Sequence, residues 1–155
     1  MTKSPKYAFI KAQWHAKIVD QALVGFEEKL TDLGLNAEVD SFDVPGAFEM
    51  PLLAQKLAAT GRYDAVIAAA LVVDGGLYRH DFVAASVVDG LMQAGLATGV
   101  PVLSVSLTPH HFQPTDEHEA FYFEHFIQKG REAAVAAAQM SELYRSDLTV
   151  QTEAA

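Results

Sequence analysis

Two adjacent glycines, Gly75 and Gly76, stand between the apolar run AVIAAAL (Ala65–Leu71) and a long alanine- and valine-rich segment, with Arg79, His80 and Asp81 just behind them. Glycine allows close backbone approach, and a turn that opens a helix leaves N–H groups without intrahelical partners, so the stretch around Gly76 can receive an anion. Histidine moves protons near neutral pH, whereas arginine stays protonated and can only orient or stabilise an anion. The same letters also spell an ordinary strand-to-helix turn with Asp81 as a cap and His80 as a surface histidine. Three other places carry chemistry: Trp14 and His15 behind the strand YAFIKA, Glu49 in VPGAFEMP, and the histidines His110, His111, His118 and His125. Glu49 also suits the first turn of a helix. Adjacent histidines rarely hold one ion together, and no spacing here matches a zinc motif, so no metal site is expected.

The whole chain bounds what these residues can do. Its 155 residues suffice for one domain with a full core. Twenty acidic residues against 11 basic ones give a net charge of −9 with no basic stretch, which argues against a nucleic-acid partner. Without cysteine there is no disulfide, thiol nucleophile or cysteine-bound metal. The N-terminus lacks a signal-peptide core and no run reaches membrane-spanning length, so a soluble cytoplasmic protein is expected.

The elements that must position the chemistry follow from periodicity. Tyr7 to Ala12 reads as a strand. Ile18, Ala22, Phe26, Leu30 and Leu33 share one helical stripe that Gly34 closes. Ala37 to Val44 reads as a strand near a sheet edge, and Glu49, Met50 and Pro51 open a helix running to about Thr60. Ala65 to Leu71 is a buried strand. Phe82 to Thr98 is apolar on nearly every side and is expected to be buried all round, by its own sheet and by another subunit. Pro101 to Leu107 is the fourth strand, and a helix runs from Glu117 to Arg145 before a polar, frayed end. The β-α-β-α-β-α-β-α alternation predicts a parallel sheet with helices on both faces and ligands at the carboxyl ends of the strands. Gln13–His15, Val44–Glu49, Val73–His80 and Thr108–Glu117 all fall there.

Taken together, VPGAFEMP (Val44–Pro51), VVDGGLYRHDFV (Val72–Val83) and QKGREAA (Gln128–Ala134) resemble the lumazine synthase family of riboflavin biosynthesis, in register from about Tyr7 to Met140. Trp14, the DGGLYRHDF loop and TPHHF resemble its divergent second type. The resemblance implies a three-layer α/β/α sandwich around a four-stranded parallel sheet, of flavodoxin-like topology, as one domain over 1–155. It also implies an oligomer built from pentamers, with the decamer-forming members the nearer likeness, and no metal or organic cofactor. The implied reaction condenses 5-amino-6-(D-ribitylamino)uracil with 3,4-dihydroxy-2-butanone 4-phosphate to 6,7-dimethyl-8-ribityllumazine, phosphate and water. The other class of function on this fold is a lumazine- or flavin-binding protein with weak catalysis.

Roles carry over residue by residue. Trp14 stacks on the pyrimidine, with His15 beside it. Gly46, Ala47, Phe48 and Glu49 hold the ribityl chain, and Leu71, Val72 and Val73 meet the ring through backbone groups. Gly76 and Leu77 receive the phosphate. The family's proton-transfer histidine falls, by ungapped counting from Gly75, on Arg79, with His80 next to it; the chemistry favours His80. The family's phosphate-binding arginine falls on His118 when counted from Leu107 and on Phe121 when counted back from Lys129; His118 is preferred, with His110 or His111 as other sources of positive charge. Ser104 stands where the family often has an aromatic from a neighbouring subunit. Lys129 and Glu132 match a lysine and an acid near the site, though each reads equally as a plain helix charge.

Overall fold

The computed structural model describes residues 4–74, 79–109, 112–146 and 148. Four parallel strands, β1 (Lys6–Ala12), β2 (Glu38–Val44), β3 (Ala65–Leu71) and β4 (Val102–Leu107), lie in the order β2-β1-β3-β4. Helices α1 (Ala16–Asp32), α2 (Met50–Ala59), α3 (His80–Thr98) and α4 (Asp116–Arg145) connect or follow them, and a 3₁₀ turn, Ala47–Glu49, leads into α2. The three-layer parallel α/β architecture read from the alternation is thus the one found. α3 starts two residues earlier than its apolar pattern and so takes in His80.

Strand alternation sorts the core into two layers. Ala8, Ile10, Val66, Ala68 and Ala70 face α2 and α3, while Tyr7, Phe9, Ala65, Ile67 and Ala69 face α1 and α4. β3 sits inside the sheet with a helical layer on each side, so all seven of its residues are buried, which is why its sequence has no polar alternation.

The α1–α4 layer is the tighter of the two. A Cβ on Gly25 would be driven into the Ile127 carbonyl oxygen, and one on Gly130 into that of Ala22. These glycines let the two backbones touch, and Arg131 then ties α4 to Glu28 and Asp32 on α1. The α2–α3 layer is open outward. Within the chain α3 is covered on one side: Ala84, Val87, Leu91 and Ala94 are buried, while Phe82, Val88, Met92 and Leu96, on the side expected to meet another subunit, face out, Leu96 with 78% of its surface exposed. One stripe of residues is enough to seat a helix on its own sheet; the second stripe is left exposed.

Candidate active site

β1 and β2 end side by side, with Ala12 paired to Val44 and the Gln13 N–H bonded to the Val44 carbonyl at 3.0 Å. That register brings Trp14 against the turn after β2. The indole lies so close on Gly46 that a Cβ there would overlap its six-membered ring and approach Nε1. Gly46 is extended (φ −153°, ψ 179°), a backbone any residue adopts, so the glycine answers to the tryptophan and not to the turn. Ala47 is fully buried, Phe48 is 63% exposed, and the exposed Glu49 carboxylate makes no hydrogen bond or ion pair among the described residues. At the end of β3, Leu71 and Val72 are fully buried, and the Val72 N–H is taken by the Leu107 carbonyl. Val73 alone of the three is partly exposed.

Asp74 and His80 are brought together at the start of α3. One carboxylate oxygen of Asp74 accepts the His80 backbone N–H at 2.9 Å and lies 2.7 Å from ring Nδ1. The backbone N–H, then the ring, hold the Asp74 carboxyl below its ordinary value. Arg79 turns elsewhere: it pairs with Asp81 at 2.8 Å and lies over the Phe82 ring at 4.6 Å. Gly76 and Leu77 lie outside the described residues, as do His110 and His111.

His15 is the one non-glycine among the described residues with positive φ (54°), and its carbonyl accepts from Ile18 and Val19 to start α1. Its ring meets Phe112 edge-on at 5.2 Å; Phe112 in turn touches Tyr122 and lies 6.3 Å from His118. His118 follows the N-cap Thr115, whose hydroxyl accepts its backbone N–H, and ring Nδ1 accepts the Gln113 N–H at 3.0 Å. With Nδ1 taken up in this way, Nε2 is the ring nitrogen left to donate. His15 also lines a groove of about 570 Å³ between α1 and α4, but Asp116, Glu119 and Glu124 make that wall unsuited to phosphate, and neither Trp14 nor His80 reaches it.

Ser104, Lys129 and Glu132 come together in a separate place. They share a groove of about 330 Å³ between the edge strand β4 and α4, and none of Trp14, Gly46–Glu49, Val73 or His80 lines it. Ser104 pairs with Ala68 in mid-strand, away from the strand ends, and its hydroxyl accepts the Ser106 N–H. Lys129 and Glu132 pair at 3.0 Å, which pulls the Glu132 carboxyl below its usual range. Gly130 explains their placing: the residue pressed on α1 and the residue lining the β4 groove are neighbours in sequence, so close helix contact fixes where Lys129 points.

The candidate residues therefore form two groups, one at the carboxyl ends of β1–β3 and one on the β4 edge. Three partners escaped the sequence reading. Asp74 was legible as an acid at the end of a strand but had no periodic signal tying it to His80. Phe112 and Tyr122 sat in a loop and an aromatic helix face whose contacts no spacing rule supplies.

The comparisons with known proteins point one way. Residues 4–145 match the family model described as 6,7-dimethyl-8-ribityllumazine synthase. The chain is 58% identical to the 6,7-dimethyl-8-ribityllumazine synthase of Rhodococcus erythropolis, over 84% of this chain and 85% of that one. It is 54% identical to 6,7-dimethyl-8-ribityllumazine synthase 2 of Pseudomonas syringae pv. tomato, over 91% of this chain and 84% of the relative, and 48% identical to the protein of the same name from Bradyrhizobium diazoefficiens, over 88% and 82%.

Proposed function

The chain belongs to the 6,7-dimethyl-8-ribityllumazine synthase family, and on that premise we propose that it is an enzyme of riboflavin biosynthesis that condenses 5-amino-6-(D-ribitylamino)uracil with 3,4-dihydroxy-2-butanone 4-phosphate, releasing phosphate and water. The carrying observation is the 54–58% identity to enzymes of that name over most of the chain. Among the described residues no helix is long and apolar enough to cross a membrane, in keeping with small-molecule chemistry in the cytoplasm.

In this reading Trp14 gives the pyrimidine a flat face to stack on. Glu49, exposed and with its carboxylate unpaired among the described residues, is free to accept from the ribityl hydroxyls. Backbone groups from Ala47 to Phe48 and at Val73 complete that half, and Gly76 and Leu77 take the phosphate. The amine of one substrate attacks the ketone of the other and water leaves to give the imine; phosphate is then lost, and the second nitrogen closes the ring on the remaining carbonyl with loss of a second water. Each step moves a proton, and His80 carries them. Arg79, already paired with Asp81, is left to the local electrostatics of the turn. Positioning two reactive groups supplies most of the acceleration, so one imperfectly placed acid–base group is tolerable.

The β4 groove with Ser104, Lys129 and Glu132 opens away from the strand ends, so it serves the site of a neighbouring copy. The outward apolar stripe of α3 and the open β4 edge give that copy a surface to bury. The working unit is then a ring of five, with decamers formed from two rings. One geometry favours the second reading, a lumazine- or flavin-holding protein: ring Nδ1 of His118 is taken up by the Gln113 N–H, so as a phosphate partner His118 offers one donor where a bidentate arginine would offer two. Following lumazine formation from the two substrates separates these. Turnover supports the enzyme; tight lumazine binding by intact oligomers without turnover supports the binder.

A further inference from the structure

We propose that Asp74 is a positioning residue for the condensation: it fixes which nitrogen of His80 meets the substrates. This rests on the reading of His80 as the proton carrier.

The geometry is specific. A single oxygen of Asp74 holds both the backbone N–H of His80 and its ring Nδ1, at 2.9 and 2.7 Å. The first contact places His80 at the start of α3 with its backbone donor satisfied, an end that Arg79, the N-cap, leaves without a side-chain cap. The second places the ring. A carboxylate has only acceptors, so the proton between it and Nδ1 belongs to the histidine. Nε2 is then the free nitrogen, with a lone pair able to take a proton and, once it has, a proton able to be given back. The ring is largely covered, with 23% of its side-chain surface exposed, so this orientation is held and not one of several.

The charges around the pair are few. Asp74 itself faces the ring; Arg79 and Asp81, the charged neighbours in sequence, are occupied with each other. Asp74 thus does for His80 what a buried acid does for the histidine of a catalytic triad: it selects the tautomer and the ring angle without touching substrate. The analogy is one of role, since this carboxylate is exposed. It also accounts for the pattern Asp-Gly-Gly-Leu-Tyr-Arg-His, in which the acid and the histidine lie six residues apart, farther than any helical pairing spaces them.

Three variants test it in the intact oligomer: Asp74→Ala, Asp74→Asn and His80→Ala, with the double variant Asp74→Ala/His80→Ala. The expected result is a kcat at least tenfold lower for Asp74→Ala, with KM for either substrate moved less than twofold. Asp74→Asn, which keeps an oxygen acceptor, should recover part of the loss. The double variant should be no slower than His80→Ala alone, because two residues that act as a unit are not additive. Nitrogen-15 spectra of the His80 ring read the tautomer without any turnover: the proton sits on Nδ1 in the unaltered chain and leaves it in Asp74→Ala. A wild-type ring protonated on Nε2, or full multiplication of the two single losses in the double variant, overturns the proposal. Absence of lumazine formation in the unaltered chain would remove the enzyme reading while the ring spectra still decide whether Asp74 sets the tautomer.

Discussion

The carboxyl ends of β1–β3 and the β4–α4 groove differ in what completes them. At the strand ends the chain satisfies itself: Trp14 lies on Gly46, and His80 is held by Asp74. In the groove, Ser104, Lys129 and Glu132 line a shallow space on an edge strand, where Lys129 pairs with Glu132. The first region is built to hold shape before anything binds. The second is a wall without a facing wall. On the function proposed above, a folded chain finishes the acid–base half of its chemistry by itself and leaves the rest to contact with a neighbour.

The largest effect should come from breaking what sets the groove without touching its lining. Gly130→Ala drives a methyl into the Ala22 carbonyl and must separate α1 from α4, at a cost of about 1–3 kcal/mol or more by overpacking, read from thermal unfolding. Lumazine formation should fall with it, because Lys129 shares that turn of helix. His80→Ala comes next and acts on the other region alone: a loss of rate of tenfold or more, within the roughly hundredfold or larger range of acid–base groups, with an unchanged melting temperature.

Smaller effects should separate the two regions by substrate. Gly46→Ala pushes against the indole of Trp14, a side chain that can yield, so stability should change little while KM for the ribitylaminouracil rises several-fold. Lys129→Glu should instead raise KM for the butanone phosphate by placing a second acid beside Glu132. Equal effects of both variants on both substrates would erase the distinction. The smallest effect concerns pH. Asp74 is held low by the His80 N–H, Asp40 by the Tyr63 hydroxyl and Glu132 by Lys129. Groups with lowered folded values stabilise the fold above the usual carboxylate range near about 4, and that contribution is lost as pH falls through the lower folded values. The melting temperature should drop on that acid side, and less steeply in Asp74→Ala.

How much of this was legible in the letters follows the same division. Periodicity gave all four strands and four helices, because a parallel sheet buried on both faces leaves long apolar runs and helices leave stripes. On α3 the apolar pattern does not say which side the chain itself covers: Ala84, Val87, Leu91 and Ala94 are buried, whereas Phe82 and Leu96 are exposed. The glycines were visible but their reasons were not: Gly46 answers to an indole brought from β1, and Gly130 to a carbonyl on α1. Contacts of that kind depend on register between elements, which no local pattern contains. The same holds for Asp74 with His80 and for Gln113 with His118, whose ring Nδ1 is taken up by a backbone N–H.

The central claim, that the strand-end half of one chain works with the groove half of another, is tested by mixing two disabled proteins. His80→Ala and Lys129→Glu are purified, dissociated, combined in equal amounts and reassembled. With the butanone phosphate held below KM, each alone should form lumazine slowly. If the site is shared, mixed rings contain interfaces in which an intact His80 faces an intact Lys129, about a quarter of them at random assembly in a closed ring, and activity rises toward that fraction of the unaltered enzyme. Mixed rings no more active than the average of the two parents would contradict a shared site and place both halves within one chain.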